Sequence, residues 1–202
     1  MRIGVTGNYA SGKGTVCRMF EDLGGIHIDT DIIARDIVQP GMKCFNEIVD
    51  HFGENILDLD GSLNRSKIAE IVFNQKSELE SLNAIMHPEI LRITLELTND
   101  DNCIYFINAP LLFEAGFDKY MDKIICIKSI IDQQVDRGIK RDNITRDQVI
   151  KRLNNQNSLN EKLEASDYII DNSDCLLNTK KQVMVIWKIL TKTLITTSTK
   201  TS

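Results

Sequence analysis

The segment Arg2–Thr15 restricts the fold more than any other part of the chain. A short apolar run, Arg2–Thr6, stops at Gly7, and Gly7-Asn8-Tyr9-Ala10-Ser11-Gly12-Lys13-Gly14-Thr15 then matches G-x-x-x-x-G-K. From Lys13 to Leu23 the apolar residues Val16, Met19, Phe20 and Leu23 recur at helical spacing until Gly24-Gly25. A buried strand, a glycine loop and a helix are therefore expected in that order. The glycines permit turns that aim backbone N–H groups at an anion, Lys13 offers a charge to phosphate oxygens, and the helix points the positive end of its dipole at the same place. A merely glycine-rich turn is the alternative, but chance matches seldom have both a strand before and a helix after. The hydroxyl that usually follows the lysine comes one place late, because Gly14 precedes Thr15.

Four more apolar runs read as strands: Ile26–Ile28, Cys103–Asn108, Lys123–Lys128 and Tyr168–Asp171. All are short and nearly continuous in apolar character, as strands covered on both faces should be. Between the second and third, Ile32 to about Thr98 reads as helical, broken at Pro40-Gly41, Gly53, Asp60-Gly61 and His87-Pro88. Strands alternating with helices predict a three-layer α/β fold around a five-stranded parallel sheet, with ligands beyond the carboxyl ends of the strands. The expected organisation is one domain, 1–192, with core segments 1–31, 102–130 and 165–192, a helical insertion 32–101 and a lid region 131–164. Residues 193–202, rich in Thr, Ser and Lys, are expected to be a disordered tail.

Composition excludes several classes. A net charge of −5 argues against a broad nucleic-acid-binding surface. The apolar runs are too short to cross a bilayer, and Met1-Arg2-Ile3-Gly4 lacks the core of a signal peptide, so a cytoplasmic protein with no membrane partner is expected. Cys17, Cys44, Cys103, Cys126 and Cys175 are far apart and read as small buried hydrophobes; His27 and His51 have no partners at metal-ligand spacing.

Two clusters suit phosphoryl transfer. Asp29-Thr30-Asp31 follows the second strand, where a carboxylate can orient an acceptor hydroxyl, take its proton, or hold Mg²⁺ through water. The bland reading makes Asp31 the cap of a helix beginning at Ile32. Arg137, Lys140, Arg141, Arg146, Lys151 and Arg152 form the densest basic run of an acidic chain. Arginines folded over a triphosphate would neutralise transition-state charge and exclude water; the interspersed Asp136, Asp142 and Asp147 also fit a solvated helix face.

The motifs in order resemble those of the dephospho-coenzyme A kinases: Gly7–Thr15, Asp29-Thr30-Asp31-Ile32-Ile33-Ala34-Arg35, His87-Pro88, Pro110-Leu111-Leu112-Phe113-Glu114 and Ile170-Asp171-Asn172. The likeness spans about Arg2 to Trp187. It implies a P-loop kinase fold and ATP-dependent phosphorylation of the ribose 3′-hydroxyl of dephospho-CoA, with Mg²⁺ as cofactor and a monomer or weak homo-oligomer as the working state. It also implies Asp31, Lys13 and Arg141 as catalytic residues, with Asp31 the base and the metal's partner through water. Ala10, Ser11, Gly12, Lys13, Gly14, Thr15, Arg137, Arg141 and Asn172 would bind ATP, and Asp29, Arg35, His87, Pro110, Leu111, Leu112 and Glu114 would line the acceptor site of the helical insertion and its neighbours. The chain departs from the usual family loop at Asn8, Tyr9 and Ala10, where Gly, an aliphatic residue and Gly are common, and at Gly14, where Ser is common.

Two other readings compete. Gly14-Thr15 matches the Gly-Lys-Gly-Thr of adenylate kinases, which favours a nucleoside monophosphate kinase-like enzyme with another acceptor. Asp58-Leu59-Asp60-Gly61 matches the D-x-x-G of nucleotide-dependent switches, but no N-K-x-D follows to read guanine.

Overall fold

The computed structural model describes residues 1–154, 156 and 158–198, the last two of these by backbone alone. Five strands, β1 (Arg2–Thr6), β2 (Ile26–Asp29), β3 (Tyr105–Asn108), β4 (Lys123–Lys128) and β5 (Tyr168–Asp171), form one parallel sheet in the order β2-β3-β1-β4-β5. The central strands are buried almost throughout, which is why their sequences are unbroken apolar runs. The outer strands depart from the expectation that all five are covered on both faces. Ile26 of β2 and Ile169 of β5 are exposed, because an edge strand has a neighbour on one side and incomplete cover above and below.

Helix α1 (Lys13–Glu21) returns from the end of β1 and buries Val16, Cys17, Met19 and Phe20. Phe20 stacks on Phe106 of β3 at 4.0 Å between centroids and 10° between planes, a geometry worth about 0.5–1.5 kcal/mol beyond area burial. The chain clusters into two compact units: Met1–Asp29 with Thr98 onwards, holding the sheet, and Thr30–Leu97. The helical unit thus ends four residues before the expected 101. Thr98 is buried with the sheet, where its Oγ1 accepts from Arg2 Nε at 2.8 Å.

The unit Thr30–Leu97 contains α2 (Thr30–Asp36), α3 (Lys43–Phe52), α4 (Arg65–Asn74) and α5 (Lys76–Leu97) around its own core of Ile48, Ile56 and Ile68. The expected break at His87-Pro88 is absent: Pro88 lies inside α5, which packs against α2, α3 and α4. A proline at that depth removes one helical hydrogen bond, and burial along the remaining turns outweighs that loss. Nor does a helix begin at Ile32, since α2 starts at Thr30 and Asp31 sits in its first turn, not at its cap.

After β4 the sheet unit continues through α6 (Ile131–Asp142), α7 (Arg146–Asn154) and α8 (Leu159–Glu164), returns as β5, and closes with α9 (Leu176–Ser198). Val183, Ile186 and Leu190 of α9 join the sheet core, and Trp187 packs against it. Residues 193–198, expected to be part of a tail, extend this helix, because α9 is anchored in the core one turn earlier; Thr199–Ser202 lie outside the described residues. Cys17, Cys44 and Cys126 are buried as expected, but Cys103 is half-buried and Cys175 exposed, both in turns with little apolar cover.

Candidate active site

Because the strands are parallel, Thr6, Asp29, Asn108, Lys128 and Asp171 all end at one edge of the sheet, and the glycine loop opens there from the central strand. Positive φ falls at Gly7 (140°), Ala10 (57°) and Gly12 (99°). Ser11 N donates to Asn8 O at 3.1 Å, and the buried Lys13 curls back to donate from Nζ to Gly7 O at 2.8 Å and Asn8 O at 3.1 Å. No side chain caps α1 at Gly12, and its first turn carries no acid. The loop therefore presents a positively polarised, uncapped helix start beside a lysine, which suits an anion.

What holds this loop comes from the far end of the chain. Asn172, just after β5, is buried; its Nδ2 donates to Ser11 O at 2.9 Å, and its Oδ1 accepts from the buried Thr179 hydroxyl at 3.0 Å. Gly12 is required by this strut, since a Cβ there would stand 2.2 Å from Asn172 Nδ2. Arg137 of α6 adds a second support, donating to Ser11 O (3.4 Å), Ser129 Oγ (3.2 Å), Gln133 Oε1 (3.1 Å) and Asn172 O (3.2 Å). Arg141, one turn on, has its guanidinium carbon 4.9 Å from the ring centroid of Tyr9 in the loop and donates from Nε to Asp142 Oδ1 at 2.7 Å. That hydrogen bond, offset in part by burial, holds the Asp142 carboxyl well below the usual carboxylate range.

At the ends of β2 and β3, Asn108 Nδ2 donates to Asp29 Oδ2 at 3.1 Å. Past β3, the segment Pro110–Glu114 is tied down by Lys162 of α8, which is fully buried; its Nζ lies 3.0 Å from Glu114 Oε1 and donates to Pro110 O at 3.2 Å. Leu111 is 41% exposed, whereas Leu112 is fully buried. Leu112 therefore packs the fold. The sheet unit thus assembles Lys13, Ser11, Gly12, Arg137, Arg141 and Asn172 around the loop, with Ala10 inside it and Gly14 and Thr15 in the first turn of α1.

In the helical unit, Asp31 and Arg35 of α2 line a cavity of about 420 Å³ together with Arg65 of α4 and an apolar wall that includes Ile48, Leu63 and Met86. His87 is on α5 and does not line it; burial pushes its imidazole pKa below the usual value. Arg65, Lys162, Gln133 and Thr179 were not expected. Each is an ordinary polar residue on a helix, and nothing local in the sequence marks it. The Asp58–Gly61 stretch is a plain turn, closed by Gly61 N donating to Asp58 O at 2.9 Å and flanked by the bridge between Leu57 and Leu63.

A parallel sheet with a G-x-x-x-x-G-K loop at the end of its central strand, and an arginine-bearing helix braced against that loop, defines a P-loop kinase. The family model for dephospho-CoA kinase matches residues 1–178. A dephospho-CoA kinase of Listeria monocytogenes is 37% identical over 190 residues, covering 92% of this chain and 95% of that protein. One from Fusobacterium nucleatum is 40% identical over 185 residues, covering 91% and 95%. The solved structure of a dephospho-CoA kinase from Campylobacter jejuni superimposes with a TM-score of 0.70 at 28% identity, covering 95% of this chain and 97% of that one. The chain belongs to the dephospho-CoA kinase family.

Proposed function

We propose that this chain transfers the γ-phosphoryl group of ATP to the ribose 3′-hydroxyl of dephospho-CoA, giving coenzyme A and ADP as the last step of coenzyme A synthesis in the cytoplasm. The observation that carries the proposal is the braced phosphate loop, in a chain matched over residues 1–178 by the family model. Gly12, Lys13 and Gly14 bind the β- and γ-phosphates through main-chain N–H groups and the lysine charge and Thr15 through its hydroxyl, with Ala10 and Ser11, whose N–H donates to Asn8 O, setting the turn around the phosphates. Arg137 keeps the loop in shape, and Arg141 stabilises charge on the transferring group. Asp31 takes the proton of the acceptor hydroxyl, and Asp29, held by Asn108, orients it. The cavity bounded by Arg35 and Arg65 suits a ligand with an apolar arm and phosphates. On the sheet unit, Leu111, exposed beside the clamped Pro110 and Glu114, offers an apolar contact for an acceptor.

The residues also fit a hydrated Mg²⁺. Among the described residues no three His, Cys, Asp or Glu side chains cluster as a metal cage, and a Cβ on Gly14 would meet nothing within 4 Å, so there is room beside the loop but no protein hydroxyl at that place. Mg²⁺ favours a shell of phosphate oxygens and water with one or two carboxylates, here Asp31 through water, and when bound it neutralises charge on the β- and γ-phosphates. Mass spectrometry of products from ATP, Mg²⁺ and dephospho-CoA tests the assignment: a mass gain of one phosphate on the acceptor is expected. ATP loss without that gain, or faster transfer to a nucleoside monophosphate, would overturn it.

A further inference from the structure

Tyr9 puts a large aromatic side chain on the phosphate loop, and its surroundings are built for it. Its ring packs against Val135, Val149 and Leu153, which are buried between α6 and α7. Gly138 of α6 leaves the space, since a Cβ there would stand 2.7 Å from Tyr9 Cε1. Two guanidinium groups face the same ring, Arg141 at 4.9 Å and Arg152 at 5.2 Å from its centroid. The phenol hydroxyl donates to Asp142 Oδ2, and Arg152 Nη1 donates to that oxygen at 2.6 Å and to the phenol oxygen at 3.1 Å. Arg141 completes the set through its own bonds to Asp142. Even the Tyr9 main chain is engaged, its N–H donating to Gln156 Oε1 at 2.6 Å.

We propose that Tyr9 is a positioning residue: it fastens the α6–α7 segment to the phosphate loop before nucleotide binds and sets Arg141 over the place where the γ-phosphate will lie. The inference rests on the kinase reading above and adds a role that the loop motif does not contain. An aliphatic side chain would fill the apolar seat between Val135 and Val149. It would offer neither a π face to two cations nor a hydroxyl to Asp142, so the two guanidinium groups would share one carboxylate with nothing to fix their spacing.

Hydrogen–deuterium exchange on the nucleotide-free protein, combined with steady-state kinetics, tests this on Tyr9→Leu and Tyr9→Phe. Tyr9→Leu should speed exchange across α6 and α7 by about tenfold or more and lower kcat by about tenfold, with KM for dephospho-CoA within twofold of the parent. Tyr9→Phe keeps the stack and loses the hydroxyl, so it should fall between parent and Tyr9→Leu in both measurements. A merely structural tyrosine would lower Tm while leaving kcat unchanged well below the unfolding temperature; that result, or exchange within twofold of the parent, overturns the proposal. Exchange is read without acceptor, so a parent protein inactive on dephospho-CoA would remove the substrate assignment while exchange alone still decided whether Tyr9 is the fastener.

Discussion

Ala10 holds φ at 57°, in the left-handed region that favours glycine. An L-residue in that region costs about 1–2 kcal/mol, and glycine there would relieve it while giving back about 0.4–1 kcal/mol of unfolded-state entropy. Ala10→Gly should therefore raise Tm slightly, or leave it level, in thermal unfolding of the nucleotide-free protein; a clear fall would show that the loop is not strained there. Arg141 is argued at the same scale. Arg141→Ala removes charge placed for the transferring phosphoryl and should lower kcat by about 10² with an unchanged circular dichroism spectrum; wild-type turnover in that variant would exclude it from the chemistry. Lys13 and its glycines were legible in the sequence because their spacing is local. The strut beneath them was not, since Asn172 and Ser11 are 161 residues apart, and the motif that marks Asn172 points to the nucleotide and not to the loop it props.

Helix α5 shows how an element overrides a local rule. Proline at position 88 marks a break in any single-sequence reading, yet the helix runs from Lys76 to Leu97 because its buried turns are held by three neighbouring helices. The same burial gives α5 a pH signature. His87 binds its proton less readily folded than unfolded, so protonation favours the unfolded chain. Stability should be unaffected by His87 above about pH 6.5 and should decline as pH falls below that, levelling off once the folded imidazole is also protonated. Thermal melts between pH 5 and 8 should show this slope in the parent and a shallower one in His87→Gln; equal slopes would remove His87 as its source. Asp142 acts in a separate window, because its depressed carboxyl stabilises the fold above its ordinary pKa of 3.8 and loses that contribution only in stronger acid. Among strands, the centre of the sheet was readable from apolar continuity, while the edges, where Ile26 and Ile169 meet solvent, break the rule that continuity implies cover.

At the scale of the whole molecule, the alternation of strands and helices specified the parallel sheet, and the ordered motifs specified the family. What could not be read were contacts closed by folding alone, such as Lys162 entering the core to meet Glu114 and Pro110, or Tyr9 meeting Asp142 across 133 residues. These pairs depend on which loops the sheet brings to one edge, and no window along the chain contains both partners. The buttress under the phosphate loop also bears on biosynthesis. A ribosome adds Ser11 161 residues before Asn172, so over that stretch of translation the nascent chain carries its nucleotide-binding signature without the strut that shapes it. Truncated translation products ending before position 172 would carry the signature and still lack a formed cradle.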